Sequence, residues 1–319
     1  MGKILLYYKY TDISCPGSIA KWQRHLCEEL GLKGRIIIAK EGINGTVGGV
    51  QDATEKYKKA MEDHELFSGI DFKESDGGAD CFPRMRVILR DEIVNLGIDP
   101  EKITPKQGGT YLTPQQTHEL LTNKPNDLII IDCRNKCESD VGTFIGSIKP
   151  NTKHFREFPK YVDEHAQELK DKQILMFCTG GVRCERASGY VKEKTQAKEV
   201  FQIKGGIHRY VEQFPNGFFR GKNYVFDSRI TIKINDDILG SCSLCSKPND
   251  NYINCANALC NKHVICCTNC IEKYKNTCGA TCQQLLVEKK VETRPLQLRV
   301  SYESSFEEQD PTKSKNYES

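Results

Sequence analysis

The chain is predicted to fold as an α+β domain, an α/β domain and a cysteine-rich metal module, in that order. Strand and helix signals alternate as βαββαβ over the first hundred residues, and apolar strands then alternate with amphipathic helices. Nine of the sixteen cysteines crowd between Cys242 and Cys282. At 319 residues the chain has room for about two domains of roughly 150 residues each. Boundaries are expected at 1–100, 101–222 and 223–290, leaving 291–319 as a largely disordered tail without apolar periodicity.

In the first part, Lys3 to Tyr10 is an apolar, aromatic strand. After Pro16 the spacing of Ile19, Trp22, Leu26 and Leu30 makes a helical stripe that stops at Gly31. Arg35 to Ala39 is a buried-strand run, and Asn44-Gly45 suits a two-residue reversal. Tyr57, Ala60, Met61 and His64 mark a second helix, and Pro83 to Val94 offers the last strand around Val87, Ile88 and Leu89. This order is that of a ferredoxin-like domain.

Gly108-Gly109 and the helix start at Thr113-Pro114 open the second part. Leu128 to Ile131 runs into Asp132-Cys133-Arg134, Ile174 to Phe177 into Cys178, and Val200 to Ile203 into Gly205-Gly206. Strands of this kind form a parallel sheet with helices on both faces.

Composition narrows the class. No stretch reaches the ~20 apolar residues of a membrane helix, so no membrane association is expected. Lys9 and Asp12 break the apolar start before an export signal could form, and Leu6 argues against myristoylation. Sixteen cysteines without an export signal read as metal ligands and reactive thiols in an intracellular, cytoplasmic protein. The net charge of +3 is unevenly placed: −2 over 1–100, +3 over 101–219, +5 over 220–300 and −3 beyond. A basic second half permits RNA contact.

The segment Cys178-Thr179-Gly180-Gly181-Val182-Arg183 follows a strand and precedes a helix. Its glycines let successive N–H groups turn inward, and the helix adds its positive end to that hollow. With Arg183 close by, and Arg186 one turn further, such a field lowers a thiol pKa and favours the nucleophilic thiolate. A lone cysteine here would read as packing; strand, glycines, arginine and helix together reverse that. Cys184, on the first helical turn, either resolves a modified Cys178 or faces the packed side.

The loop resembles the active-site loop of rhodaneses, whose strand-end cysteine carries a persulfide. Asp132-Cys133-Arg134 with Gly142-Thr143-Phe144-Ile145-Gly146 and Val200 to Ile207 resembles further rhodanese elements, with Thr143 where many carry His. Cys178 to Arg183 is C-x4-R, one residue short of the cysteine-phosphatase loop, which argues against phosphatase activity. A closer resemblance, over about residues 1 to 285, is to the tRNA uridine(34) hydroxylases. It is carried in order by Glu41 to Thr46, Asp132 to Asn135, Phe155 to Phe158, Cys178 to Glu185, Lys204 to Ile207 and Gly221 to Asp227. Cys133 and Cys137 stand where Val and Tyr are common in that family.

The resemblance implies oxygen-dependent formation of 5-hydroxyuridine at the wobble position, with tRNA as partner and molecular oxygen as co-substrate. It leaves the electron donor unnamed and a sulfur- or electron-donor protein as a further candidate partner. Cys178, Arg183 and Cys184 become the catalytic candidates, with Thr179, Gly180, Gly181 and Val182 as the loop. Asn44, Arg134, Arg156 and Arg186 become the candidate substrate contacts. Blander readings stand beside them: a hairpin at Glu41 to Thr46, a packed Phe155 with a solvated Arg156, and Gly205-Gly206 as a strand-to-helix turn.

Cys242-x2-Cys245, Cys255-x4-Cys260, Cys267-x2-Cys270 and Cys278-x3-Cys282 make four ligand-type pairs, enough for two structural Zn²⁺ ions. Pairs one and three share one ion and two and four the other in a cross-braced arrangement, or neighbouring pairs share in sequence. Cys266 is left over, and His263 is a substitute ligand. Disulfides, buried free thiols and an iron–sulfur cluster are the alternatives. Against the hydroxylase reading stand a sulfurtransferase working through a Cys178 persulfide and a non-catalytic, zinc-stabilised RNA-binding module.

Overall fold

The computed structural model describes residues 2–294, so the greater part of the expected tail lies outside the described residues. The first domain contains β1 (Gly2–Tyr10), α1 (Pro16–Glu29), β2 (Lys33–Ala39), β3 (Gly42–Val50), α2 (Gln51–Glu62), β4 (Lys73–Asp76) and β5 (Met85–Leu89). Their sheet runs β4-β1-β3-β2-β5, antiparallel except that β5 lies parallel to β2. The ferredoxin-like unit is therefore closed by β4, and the strand expected to close it is an addition on the opposite edge. Lys-Glu-Ser-Asp carries almost no apolar signal, because an edge strand needs little more than its backbone.

Asn44-Gly45 is not the reversal. The chain turns at Lys40-Glu41, and Asn44 pairs with Tyr8 on one side and Ile37 on the other. Gly45 is needed in mid-strand because a Cβ there would lie 2.4 Å from the Tyr7 ring.

The second domain contains β6 (Thr110–Leu112), α3 (Pro114–Asn123), β7 (Leu128–Asp132), α4 (Lys136–Ser139), β8 (Gly142–Phe144), α5 (Phe158–Glu164), α6 (Ala166–Leu169), β9 (Gln173–Phe177), α7 (Val182–Thr195), β10 (Glu199–Ile203) and α8 (Gly206–Gln213). The sheet β6-β10-β9-β7 is parallel throughout. Period-two alternation serves both faces: Ile174 and Met176 join the core under α5 and α7, while Leu175 and Phe177 join the core under α3 and α8.

The chain then forms β11 (Phe219–Tyr224), antiparallel to β8, and β12 (Thr231–Lys233). The last part holds β13 (Tyr252–Asn254), β14 (His263–Ile265), α9 (Thr268–Lys273) and α10 (Ala280–Val287). Its buried cluster consists of cysteines with a few partly covered apolar neighbours. Among the described residues no helix is long and apolar enough to cross a membrane.

Candidate active site and metal centres

β9 delivers Cys178 to the carboxyl edge of the parallel sheet, where α/β sites form. Gly181, at φ 105°, turns its N–H onto the sulfur at 3.2 Å and starts α7. The N-terminal turn of α8 grips the same loop: Ile207 N–H donates to the Cys178 carbonyl at 3.0 Å and His208 N–H to that of Thr179 at 3.1 Å. Gly206 permits this approach, since a Cβ there would stand 2.5 Å from the Cys178 carbonyl oxygen. The Gly-Gly pair thus does more than turn a strand into a helix.

Cys178 has no exposed surface. Burial pushes its thiol up. The neighbouring Cys184 thiol, the charge of Arg183 and the N–H groups of Arg183 and Gly181 outweigh that and bring it down to about 6. That direction favours the thiolate over the thiol at neutral pH. Cys184 is itself buried, and burial, with the Cys133 and Cys178 thiols as neighbours, holds its thiol well above the usual range.

Arg183 does not act alone. Its two Nη atoms donate to the two carboxylate oxygens of Glu138 at 2.8 and 2.7 Å, and Thr179 Oγ1 donates to the same carboxylate at 3.3 Å. Glu138 is fully buried and is held in turn by the Asn135 N–H at 3.1 Å. This carboxylate fixes the guanidinium plane beside the loop. Sequence reasoning missed it, although Asn135 and Glu138 stand three apart as a helix-capping pair.

The candidate substrate contacts separate from the loop. Arg134 is buried and bonded to both oxygens of Asp132 at 2.9 and 2.7 Å, with Thr143 completing that carboxylate at 2.8 Å. Arg186 is buried too, donating to the carbonyls of Ile103 at 2.7 Å and Ile98 at 2.5 Å and to Glu92. Asn44 Nδ2 donates to the Ile93 carbonyl at 3.0 Å, and Glu41 accepts the Ile93 N–H at 2.7 Å. All three side chains are committed to protein groups, Arg186 and Asn44 to the connection between the first two domains. Arg156 alone of the four is exposed.

The first domain covers the loop, a feature without a sequence signal because no motif spans two domains. At 2.7 Å Tyr8 donates to Glu185, whose other oxygen accepts from Tyr111 of the second domain's own β6, and Tyr10 reaches the Val182 carbonyl at 3.3 Å. A Cβ on Gly181 would meet the Tyr8 hydroxyl at 2.7 Å, and one on Gly180 would meet Leu6 at 3.2 Å and Lys73 at 3.8 Å. The glycines therefore shape the bowl and also admit the neighbouring domain. His208 is buried with Nε2 unpartnered, and burial followed by the Lys73, Arg229 and Arg209 charges lowers it to about 4, so it is neutral.

The eight paired cysteines gather into two groups, Cys242, Cys245, Cys267 and Cys270, and Cys255, Cys260, Cys278 and Cys282, whose sulfurs lie within 4.8 Å of one another in each group. The structure selects the cross-braced pairing over the sequential one. Sulfur separations of 3.6 Å for Cys245–Cys267 and 3.7 Å for Cys260–Cys278 approach the ~3.8 Å between thiolates placed tetrahedrally at ~2.3 Å from zinc. They are far from a ~2.05 Å disulfide. The Cys267 and Cys278 N–H groups donate to the Cys242 and Cys255 sulfurs, each at 3.4 Å, as outer support for a thiolate site. Either group could hold a metal ion. His263 is not among the ligands; its ring bonds Asn254 at 2.9 Å and Tyr224 at 3.3 Å. Cys266 is buried outside both groups.

Known proteins match this chain along most of its length. Three family models match: the UPF0176 acylphosphatase like domain at residues 2–93, the rhodanese-like domain at 113–213 and the rhodanase C-terminal domain at 220–283. The tRNA uridine(34) hydroxylase of Shouchella clausii is 39% identical over 287 residues, 88% of this chain and 88% of that protein. That of Arthrobacter sp. is 40% identical over 281 residues, covering 85% and 94%, and that of Listeria welshimeri 40% over 286 residues, covering 88% and 89%. At 39–40% identity over 85–88% of its length, this chain belongs to the tRNA uridine(34) hydroxylase family.

Proposed function

We propose that this chain hydroxylates uridine 34 of tRNA to 5-hydroxyuridine, with Cys178 as the essential thiolate. The observation that carries the reading is a fully buried sulfur at the sheet's carboxyl edge, met by the Gly181 N–H at 3.2 Å, in a chain whose relatives bear that name. Cys178 would cycle through a persulfide or an oxidised sulfur species. The loop amides and Arg183 would stabilise its anionic forms, and Glu138 would orient Arg183. Molecular oxygen would supply the hydroxyl oxygen, and the two electrons that reduce its other atom to water would come from a donor outside the chain. Arg134, Arg186 and Asn44 would support the loop and the domain connection. Arg156 and the +5 stretch 220–300 would contact tRNA phosphates in the cytoplasm. Each cysteine group would hold one Zn²⁺. Four thiolates leave no open position, so its part is folding.

Nucleoside mass spectrometry of tRNA from cells lacking the protein, rescued with wild type or Cys178→Ser, tests this. The 5-hydroxyuridine-derived nucleoside should return only with wild type; return with Cys178→Ser would refute it. The compact C-x4-R bowl also suits a sulfane sulfur, which favours sulfurtransfer as the second reading. Thiosulfate or persulfide turnover lost in Cys178→Ser, with tRNA nucleosides unchanged, would select it.

A further inference from the structure

Three thiols converge behind the catalytic loop. Asp132 pairs with Phe177 in the β7–β9 register, and the Cys133 N–H continues the ladder to the Phe177 carbonyl at 2.9 Å. Cys133 and Cys178 therefore leave adjacent parallel strands at corresponding positions, ~4.8 Å apart in backbone, with side chains on one face. Both belong to the core cluster under α7. α7 lowers Cys184 onto that face, where it joins Cys133 and Cys178 in the same buried cluster. Cys184 packs over the face that Cys133 and Cys178 share, and none of the three is more than 1% exposed.

We propose that these cysteines form a disulfide relay that resolves an oxidised Cys178 and returns it to the thiolate, storing the oxidation as a Cys133–Cys184 disulfide. The initiating oxidant is a hydroperoxide. The Cys178 sulfur bonds to its distal oxygen as the O–O bond breaks, and the other oxygen leaves as water or alcohol after taking a proton. The Cys184 sulfur then displaces the sulfenic oxygen, which departs as water with the thiol proton. Cys133 attacks the Cys184 sulfur next. The Cys133–Cys184 bond forms, the Cys184–Cys178 bond breaks, and the Cys133 proton is released to the departing sulfur or to water. A dithiol reductant closes the cycle by exchange.

The second exchange runs through Cys184, because attack on its sulfur expels Cys178. The better leaving group in thiol–disulfide exchange is the thiol of lower pKa. Cys178 lies at about 6, whereas burial holds Cys184 well up. Exchange therefore runs toward a free Cys178.

The relay rests on Cys178 being a reactive thiolate, and the experiment separates the two ideas. The metal-loaded full-length chain receives one equivalent of hydrogen peroxide, is alkylated with iodoacetamide under denaturing conditions, and is mapped by mass spectrometry. Trypsin cleaves after Arg134 and Arg183, so the three thiols fall in three peptides. Wild type should yield the Cys133–Cys184 linked peptides with Cys178 alkylated. Cys133→Val, or Cys133→Ser should valine perturb the core, should yield Cys178–Cys184 instead. Cys178→Ser should lose the Cys133–Cys184 link. An undiminished link in Cys178→Ser, or Cys178 sulfinate beside alkylated Cys133 and Cys184, would overturn the relay. Native protein whose Cys178 resists iodoacetamide before any peroxide would overturn the reading of the site itself.

Discussion

Arg183 gives both of its Nη atoms to Glu138, at 2.8 and 2.7 Å, so the cation of the Cys178 loop is anchored by α4. The thiolate therefore feels a guanidinium whose position is independent of its own protonation. Such preorganisation lets a site stabilise charge without rearranging as the charge appears.

Glu138→Gln tests that anchoring. A buried arginine without its carboxylate is costly, and loss of one partner of a buried pair typically removes about 3–5 kcal/mol of stability. Urea unfolding should show that loss. Removing the negative charge also leaves Arg183 less neutralised, so the pH midpoint of Cys178 alkylation should move below that of wild type, or be blurred if the guanidinium wanders.

The Cys178 thiolate should appear as pH rises through about 6, read as the midpoint of iodoacetamide labelling. Arg183→Met should move that midpoint upward. The sulfur is lowered from 9.0 to about 6, so its contribution to stability is complete above 9 and is lost as pH falls through 6. Three units correspond to about 4 kcal/mol. The stability advantage of wild type over Cys178→Ser should accordingly shrink between pH 9 and 6.

His208 adds to acid sensitivity by another route. Buried as the neutral ring and lowered from 6.5 to about 4, it supports stability above 6.5 and withdraws that support as pH falls through 4. His208→Leu should flatten the acid limb of stability in that window, measured as urea midpoints at a series of pH values.

Tyr8→Phe removes one hydrogen bond between the covering domain and Glu185, a contact worth about 1.5–3 kcal/mol when an ionised partner is involved. Iodoacetamide should then reach Cys178 faster at a fixed pH above 7, because the cover opens more often. Labelling that is no faster would show that the other seam contacts hold the domain closed.

Metal analysis should find two zinc ions per chain. Cys245→Ser and Cys260→Ser should each lower the count by one, and Cys266→Ser should leave it unchanged. Chelation should expose the region after residue 240 to protease while spectroscopic signals of the two sheets persist, because its buried cluster holds only a few partly covered apolar side chains beside its cysteines.

The strands were legible where burial on both faces demands unbroken apolar runs, as in Ile174 to Phe177, and the parallel sheet followed from their alternation with helices. β4 was invisible because its four residues are an edge held by backbone pairing. Asn44-Gly45 misled because a glycine reserved for the Tyr7 ring has the same letter as one reserved for a turn. Local spacing found the loop from Cys178 to Cys184, since a thiolate cradle is built within a few residues, and it found the four cysteine pairs for the same reason.

By itself, then, the sequence determined what contiguous residues can make: the thiolate bowl, the knuckles, the periodic strands and helices. Tertiary structure alone decided which distant groups meet. It joined first to third and second to fourth cysteine pairs, set Glu138 under Arg183, laid Tyr8 and Lys73 over the loop, and buried Arg134 and Arg186 against protein partners. The physical reason is that local conformation depends on dihedral preference and spacing along the chain. Partnership across dozens of residues depends on which buried charges and polar groups must be satisfied once the chain has packed.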